Sequence, residues 1–183
     1  MGRPKLLLPW GDSTVIEQQL AAWRASRVSC VVVVVHPLDD ELALRCRASG
    51  VNVVVPAEAP PQMKDSVACG LAHVERMEAP ASGDAWLLAP ADVPRLATHV
   101  VDRLLDEHAS GDAAEILVPV DGGKRGHPVL FPWPLAAEVA HLAEDEGVSA
   151  LLDRNRVREI DCGPHAAPDD LDTPDDYRRL RDS

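Results

Sequence analysis

Apolar and polar positions alternate along this chain in two rhythms. Ile16, Leu20 and Trp23 recur at helical spacing, and Thr14 with Glu17 has the form of a capping box, so residues 13–26 are expected to be helical. "CVVVVVH" (30–36) is β-branched and is followed by a proline. Such a run fits a strand buried on both faces of a parallel sheet. "LDDELALRCRASG" (38–50) returns to the helical rhythm and closes on Gly50. "VNVVV" (51–55) is the next strand, followed by a proline-rich loop and a helix over 64–78. "DAWLLAPADVP" (84–94) is a strand running into a loop, with a helix over 95–109 and a strand over 114–120 behind it. A short strand lies in "GHPVLFP" (126–132). After it come a helix with Pro134 in its first turn, a strand over 157–162 and a last helix in "TPDDYRRLR". Strands alternating with helices predict an α/β fold with a mostly parallel sheet. With no internal repeat and no long linker, residues 1–183 read as one domain. Ligands of such sheets gather at the carboxyl ends of the strands, so residues just after strands carry most interest.

Composition narrows the function. Hydrophobic residues make up 46% and aromatics only 3%, so the core is built mainly from Val, Leu and Ala, and base stacking on aromatic platforms is disfavoured. A formal net charge of -12 argues against coating a nucleic acid or an anionic membrane, because a phosphate backbone would be repelled. A small anion held by a few local cations, or by a metal on carboxylates, remains compatible. Cys30, Cys46, Cys69 and Cys162 form no Cys-x-x-Cys pair, so they read as reduced, packing thiols of a cytoplasmic protein. The longest apolar run, Cys30 to Val35, is too short to span a bilayer, and Leu6 to Leu8 is too short for the core of a signal peptide.

Four stretches carry candidate chemistry. Asp92 in "ADVP" follows the carboxyl end of a strand, where a carboxylate suits a hard cation such as Mg²⁺; a helix N-cap is the competing reading. Asp170 and Asp172 in "DLDTPDDYRRL" offer further carboxylates, while Asp175 and Asp176 fit an acidic first turn favoured by the helix dipole. "MGRPK" places Lys5 and Arg3 beside Gly2, a flexible, cationic stretch suited to phosphate oxygens, or else an ordinary polar terminus. His127 sits in a Gly-His-Pro turn and has no Cys or Ser partner for nucleophilic catalysis. No Walker pattern, Gly-x-Gly-x-x-Gly or nucleophile elbow is present.

Together "MGRPKLLLPWGDSTVIEQQL", "DSVACGL", "WLLAPADVPRL", "GHPVLF" and "DLDTPDDYRRL" resemble, in content and order, the MobA/MocA-like nucleotidyltransferases. These are the molybdenum-cofactor cytidylyl- and guanylyltransferase-like enzymes, relatives of the sugar-nucleotide pyrophosphorylases. The resemblance covers nearly the whole chain. It implies a three-layer, Rossmann-like sheet of the nucleotide-diphospho-sugar transferase type. It also implies Mg²⁺-dependent transfer of a nucleotidyl group from CTP or GTP to a phosphorylated acceptor such as molybdopterin, and a molybdoenzyme or maturation factor as protein partner.

By the resemblance, Lys5 contacts the nucleotide's phosphates and Gly2 belongs to the same nucleotide-binding stretch. Asp92 is the metal ligand of an Asp-x-Pro motif, and Asp172, with Asp170 as its near alternative, is the second metal-side carboxylate. Ser66 and Gly70 face the base, and His127 lies near the acceptor. Arg3 receives no role.

Two departures from the family pattern stand out. Relatives place a strand and a Leu-Ala-Ala-Gly-x-Ser-x-Arg-like loop before Met-Gly-x-Pro-Lys, and this chain begins at that Met. The expectation is a start assigned too late, with the first strand missing from the sheet. The alternative is a non-catalytic nucleotide- or partner-binding relative. In "EDEGVSALL" (144–152), Asp145 and Gly147 match the cytidylyl-type pattern, while Ser149 replaces its Arg. That leaves the acceptor open.

Overall fold

The computed structural model describes residues 4–167 and 173–182. The chain enters through a turn of 3-10 helix, Lys5–Leu7, and a tight hairpin of β1 (Pro9–Trp10) and β2 (Ser13–Thr14). Gly11 takes φ +57 in the hairpin's turn, a left-handed conformation that costs glycine little. Helix α1 (Val15–Ala25) starts at once. Thr14 caps it: the Glu17 amide donates to the Thr14 hydroxyl, and Glu17 accepts from the Thr14 amide at 2.9 Å. The box expected from four consecutive residues is therefore present.

Two parallel strands, β3 (Val32–Val34) and β4 (Asn52–Val54), flank helix α2 (Asp40–Ala48) and form one small sheet. Helix α3 (Met63–Glu78) leads to β5 (Ala85–Leu88) and helix α4 (Thr98–Ser110). β6 (Ile116–Asp121) turns back through β7 (Lys124–Arg125) into β8 (Val129–Pro132). The short helices α5 (Ala136–Val139) and α6 (Ala150–Arg154) precede β9 (Val157–Asp161), and α7 (Pro174–Asp182) follows. In the larger sheet β8 lies between β5 and β6, antiparallel to both, and β9 pairs parallel to β6. Within this framework β5, β6 and β9 share one direction, and β7 and β8 are the reversed members. The fold is the expected α/β, Rossmann-like arrangement with helices on both faces.

Alternation along the strands sorts the core. Trp86, Ile116, Val118, Val129 and Phe131 face α3 and α5, and Trp86 stacks on Phe131 with ring centroids 4.3 Å apart. Their neighbours Leu87, Leu117 and Leu130 point to the other face, where α4 supplies Val100 and Leu104. In the small sheet Val31, Val33 and Val35 meet Ile16 and Leu20 of α1 together with the buried face of α2. Val32 and Val34 face α3 instead, close enough that a Cβ on Gly70 would stand 3.2 Å from Val34 Cγ2.

The two sheets are not hydrogen-bonded to one another: among the described residues β3 pairs only with β4, and β5 only with β8. Helices span the seam on both sides. On one face α3 packs Leu71, Val67 and Ala68 against Trp86 and Leu88 while Gly70 lies over β3. On the other, Gln19 of α1 sends its amide across to the Pro90 carbonyl at 2.6 Å. The seam lies between the "CVVVVVH" and "WLLAPAD" strands. It also revises the reading of β3: Val31 to Val34 are half-buried rather than fully enclosed, and among the described residues one edge of the strand has no neighbour. No helix among the described residues is long and apolar enough to cross a membrane.

Candidate active site at the carboxyl ends of the strands

β5 ends at Leu88, and the chain passes through Ala89 and Pro90 to Asp92. Helix α4 does not begin until Thr98, with Ala97 at its N-cap, so the cap reading of Asp92 falls away. Its carboxylate reaches toward Lys5, whose ammonium lies 2.6 Å from Asp92 Oδ2. Both side chains are about a quarter exposed, at 28% and 27%. The Lys5–Leu7 turn presents the lysine: Leu7 is buried among α1, α2 and β3, which fixes the backbone that carries Lys5. Gln19 fixes the facing loop. It is a polar residue on the core side of α1, only 3% exposed, and its bond to the Pro90 carbonyl satisfies a group two residues from Asp92. Composition and spacing did not single out Gln19. Its signal was a polar residue beside Leu20, on a helix face otherwise apolar.

His127 reaches the same edge by register. Leu88 pairs with Val129, so the residues just before β8 stand beside the loop just after β5. The His127–Pro128 peptide is cis, and Gly126 donates its amide to the Pro119 carbonyl at 2.9 Å. The chain leaving β9 crosses directly over Gly126, so closely that a Cβ there would overlap the Ala166 carbonyl. Asp170, Asp172 and Gly2 lie outside the described residues. The chain leaves the described part after Ala167 and re-enters it at Thr173. There Thr173 and Asp176 cap α7 reciprocally, the Thr173 amide donating to Asp176 Oδ2 at 2.9 Å and the Asp176 amide to the Thr173 hydroxyl at 3.1 Å. Asp175 pairs with Arg178 at 2.9 Å. The helix-start reading of Asp175 and Asp176 fits these bonds.

Ser66 and Gly70 are both on α3, Ser66 in the first turn and half-buried, Gly70 a turn later against β3. The start of this helix is fastened to the loop that carries Asp145, Gly147 and Ser149. Gln62 donates to the Glu144 carbonyl at 2.9 Å, and Lys64, 8% exposed, donates to the carbonyls of Leu142 and Ala143. A buried lysine answered by main-chain oxygens was not foreseen from the sequence.

Among the described residues no cluster of three His, Cys, Asp or Glu side chains forms a ready-made metal cage. That does not count against a hard divalent ion. Such ions are commonly held by one or two carboxylates and the substrate's own phosphates. Asp92, a partly exposed oxygen donor at the carboxyl edge, has the right donor chemistry. Cys46 does not belong to the site: it is fully buried and its pKa is pushed up to about 11 by that burial.

Known proteins agree with this architecture. The family described as MobA-like NTP transferase domain matches residues 1–160. Rv0371c from Mycobacterium tuberculosis H37Rv superposes with a TM-score of 0.84 at 31% identity, over 100% of this chain and 92% of that one. A manganese complex of Rv0371c superposes at 0.79, also at 31% identity, over 98% of this chain and 92% of that one. A 4-diphosphocytidyl-2C-methyl-D-erythritol synthase shares the fold at a TM-score of 0.75 and 22% identity, over 97% of this chain and 93% of that one. The molybdopterin-guanine dinucleotide biosynthesis protein A of Archaeoglobus fulgidus shares it at 0.68 and 14%, over 99% and 90%. Among curated proteins none matches the chain. The chain belongs to the MobA-like NTP transferase domain family and is a nucleotidyltransferase.

Proposed function

We propose that the protein, as a single cytoplasmic domain, transfers a nucleotidyl group from CTP or GTP to a phosphorylated acceptor of the molybdopterin class, with Mg²⁺ held at Asp92. The observation that carries this reading is the Lys5–Asp92 pair, a cation and an anion 2.6 Å apart at the carboxyl edge of the sheet. Without ligand the two charges answer each other. A metal-bound triphosphate offers both opposite charges at once, its phosphate oxygens to Lys5 and its metal to Asp92.

In the reaction an oxygen of the acceptor phosphate forms a bond to the α-phosphorus. The bond from that phosphorus to the bridging oxygen breaks, and its electron pair leaves with pyrophosphate. No covalent enzyme nucleophile is required, so the protein's work is alignment and charge stabilisation. Lys5 holds the phosphate oxygens and stabilises the charge that develops on them; one such contact is worth roughly 3–4 kcal/mol of barrier. A divalent ion on Asp92, with Asp172 or Asp170 beside it, would neutralise the phosphates and the departing pyrophosphate. In this proposal Gly2 lends backbone flexibility beside Lys5, Ser66 and Gly70 flank the base, and His127 lies toward the acceptor. A molybdoenzyme or maturation factor would receive the product.

The test is pyrophosphate release from CTP and GTP, with Mg²⁺ or Mn²⁺, with and without molybdopterin. Metal-dependent release that needs the acceptor supports the reading. Release from neither nucleotide under any of these conditions overturns it.

A further inference from the structure

The last helix touches both halves of the candidate site. Leu180, 6% exposed, packs on Val15 at the start of α1, and Leu6, Leu8, Trp10 and Tyr177 close around them. The Tyr177 ring meets Trp10 edge-on, centroids 6.2 Å apart at 64°, and its hydroxyl donates to the Pro9 carbonyl. These contacts grip the segment directly after Lys5. On its other flank α7 offers the Leu180 carbonyl to Arg95, whose Nη2 donates at 2.5 Å. Arg95 stands three residues after Asp92 in the "ADVPRL" loop. One helix therefore holds the chain next to the cation and the chain next to the anion. The alternative, a helix merely covering apolar surface, would need only Leu180 and the Tyr177 ring. It accounts for neither directed hydrogen bond.

We propose that Arg95 and Tyr177 are positioning residues, through which α7 clasps the Lys5 segment and the Asp92 loop in one fixed relation. The proposal rests on the reading of Lys5 and Asp92 as the reacting site's charged pair. Tyr177 holds the backbone that follows Lys5, and Arg95 ties its own loop, the one that carries Asp92, to the Leu180 carbonyl of α7. A displacement of about 1 Å in such a site can cost on the order of a hundredfold in rate. The clasp need not contribute much stability to matter.

The test uses the full chain with Tyr177→Phe, Arg95→Gln and both together. Tyr177→Phe keeps the ring against Trp10 and removes only the hydroxyl. The chain has three lysines, so acylation of Lys5 by a water-soluble succinimidyl ester is resolved by mass spectrometry. Exposed Lys124 serves as the internal reference. In the double variant Lys5 is expected to react about fivefold faster relative to Lys124, because local opening is easier. In parallel kcat for pyrophosphate release should fall about tenfold while KM for the nucleotide stays near the parent value. Arg95→Lys should recover part of the loss. Unchanged Lys5 reactivity in variants that melt like the parent overturns the clasp. So does a loss confined to KM. If the double variant fails to fold, Tyr177→Phe alone decides by the same labelling. A parent protein that releases no pyrophosphate overturns the functional reading, while the labelling still decides the clasp.

Discussion

Lys5 and Asp92 stand 87 positions apart in the chain and 2.6 Å apart in the fold. The turn bearing Lys5 packs on the small sheet, and Asp92 extends from the large one. The pair is thus a charged link over a seam that backbone hydrogen bonds do not close. Lys5→Met and Asp92→Asn should each lower kcat for pyrophosphate release by about 10²–10³. Far-UV circular dichroism should stay that of the parent, since both side chains are partly exposed and a pair of this kind adds little stability. Either variant retaining parent turnover removes that residue from the mechanism.

Gln19 is the second crossing of the same seam. Gln19→Leu keeps the volume but leaves the Pro90 carbonyl without its donor. The expected cost is about 1–3 kcal/mol in urea denaturation, the desolvation penalty of one buried acceptor. Turnover should drop as well, because the Asp92 loop loses its anchor. A variant as stable and as active as the parent would show that the bond is incidental.

Gly126 has no room for a side chain. Gly126→Ala would drive a methyl group into the Ala166 carbonyl and to 2.5 Å from Ala167 Cα. The chain after β9 must then move, at a cost of about 1–3 kcal/mol as for other overpacked sites. Since that chain leads toward Asp170 and Asp172, the variant should also need more Mg²⁺ for half-maximal rate. A metal titration of the variant superimposing on the parent's would separate the backbone crossing from metal binding.

Glu17 gives a pH signature. The Thr14 hydroxyl, then the Thr14 amide and Arg45, hold its carboxyl below the usual value of 4.5 despite partial burial. A depressed pKa in the folded state stabilises the protein wherever the unfolded carboxyl is ionised, and that gain is lost as pH falls through the folded value. Glu17→Gln should therefore lower the urea midpoint at pH 7, and the difference from the parent should shrink below about pH 4.5. A pH-independent difference would mean that shape rather than charge makes the cap.

Local features were the legible ones. The Thr14–Glu17 box is written within four residues, and its partners find each other without help from the rest of the fold. Strand identity was readable in "WLLAP" and "VLFP", but direction was not: nothing in four apolar residues says that β8 runs against β5 and β6. The length of α6, five residues, is too short for a helical period to show. β3 misled in an instructive way. A run of valines reports that a strand wants apolar neighbours on both faces, yet says nothing about whether a strand lies at each edge. In the candidate site, Lys5 and Asp92 were singled out through the order of motifs, since no spacing rule links residues so far apart. Gln19, Lys64 and Arg95 stayed hidden because each acts on a main-chain carbonyl, and any sequence supplies carbonyls everywhere.

The open seam leaves a mark on the amide protons. Val35 donates to the Val54 carbonyl and Asn52 to that of Val31, both at 2.9 Å, so the odd-numbered valines turn their backbone groups toward β4. By the alternation of an extended chain, the N–H groups of Val32 and Val34 point the opposite way, into the seam. In deuterated water Val33 and Val35 should then exchange slowly and Val32 and Val34 quickly. Residues identical in chemistry would read out, one by one, on which side the sheet is joined and on which side it is not.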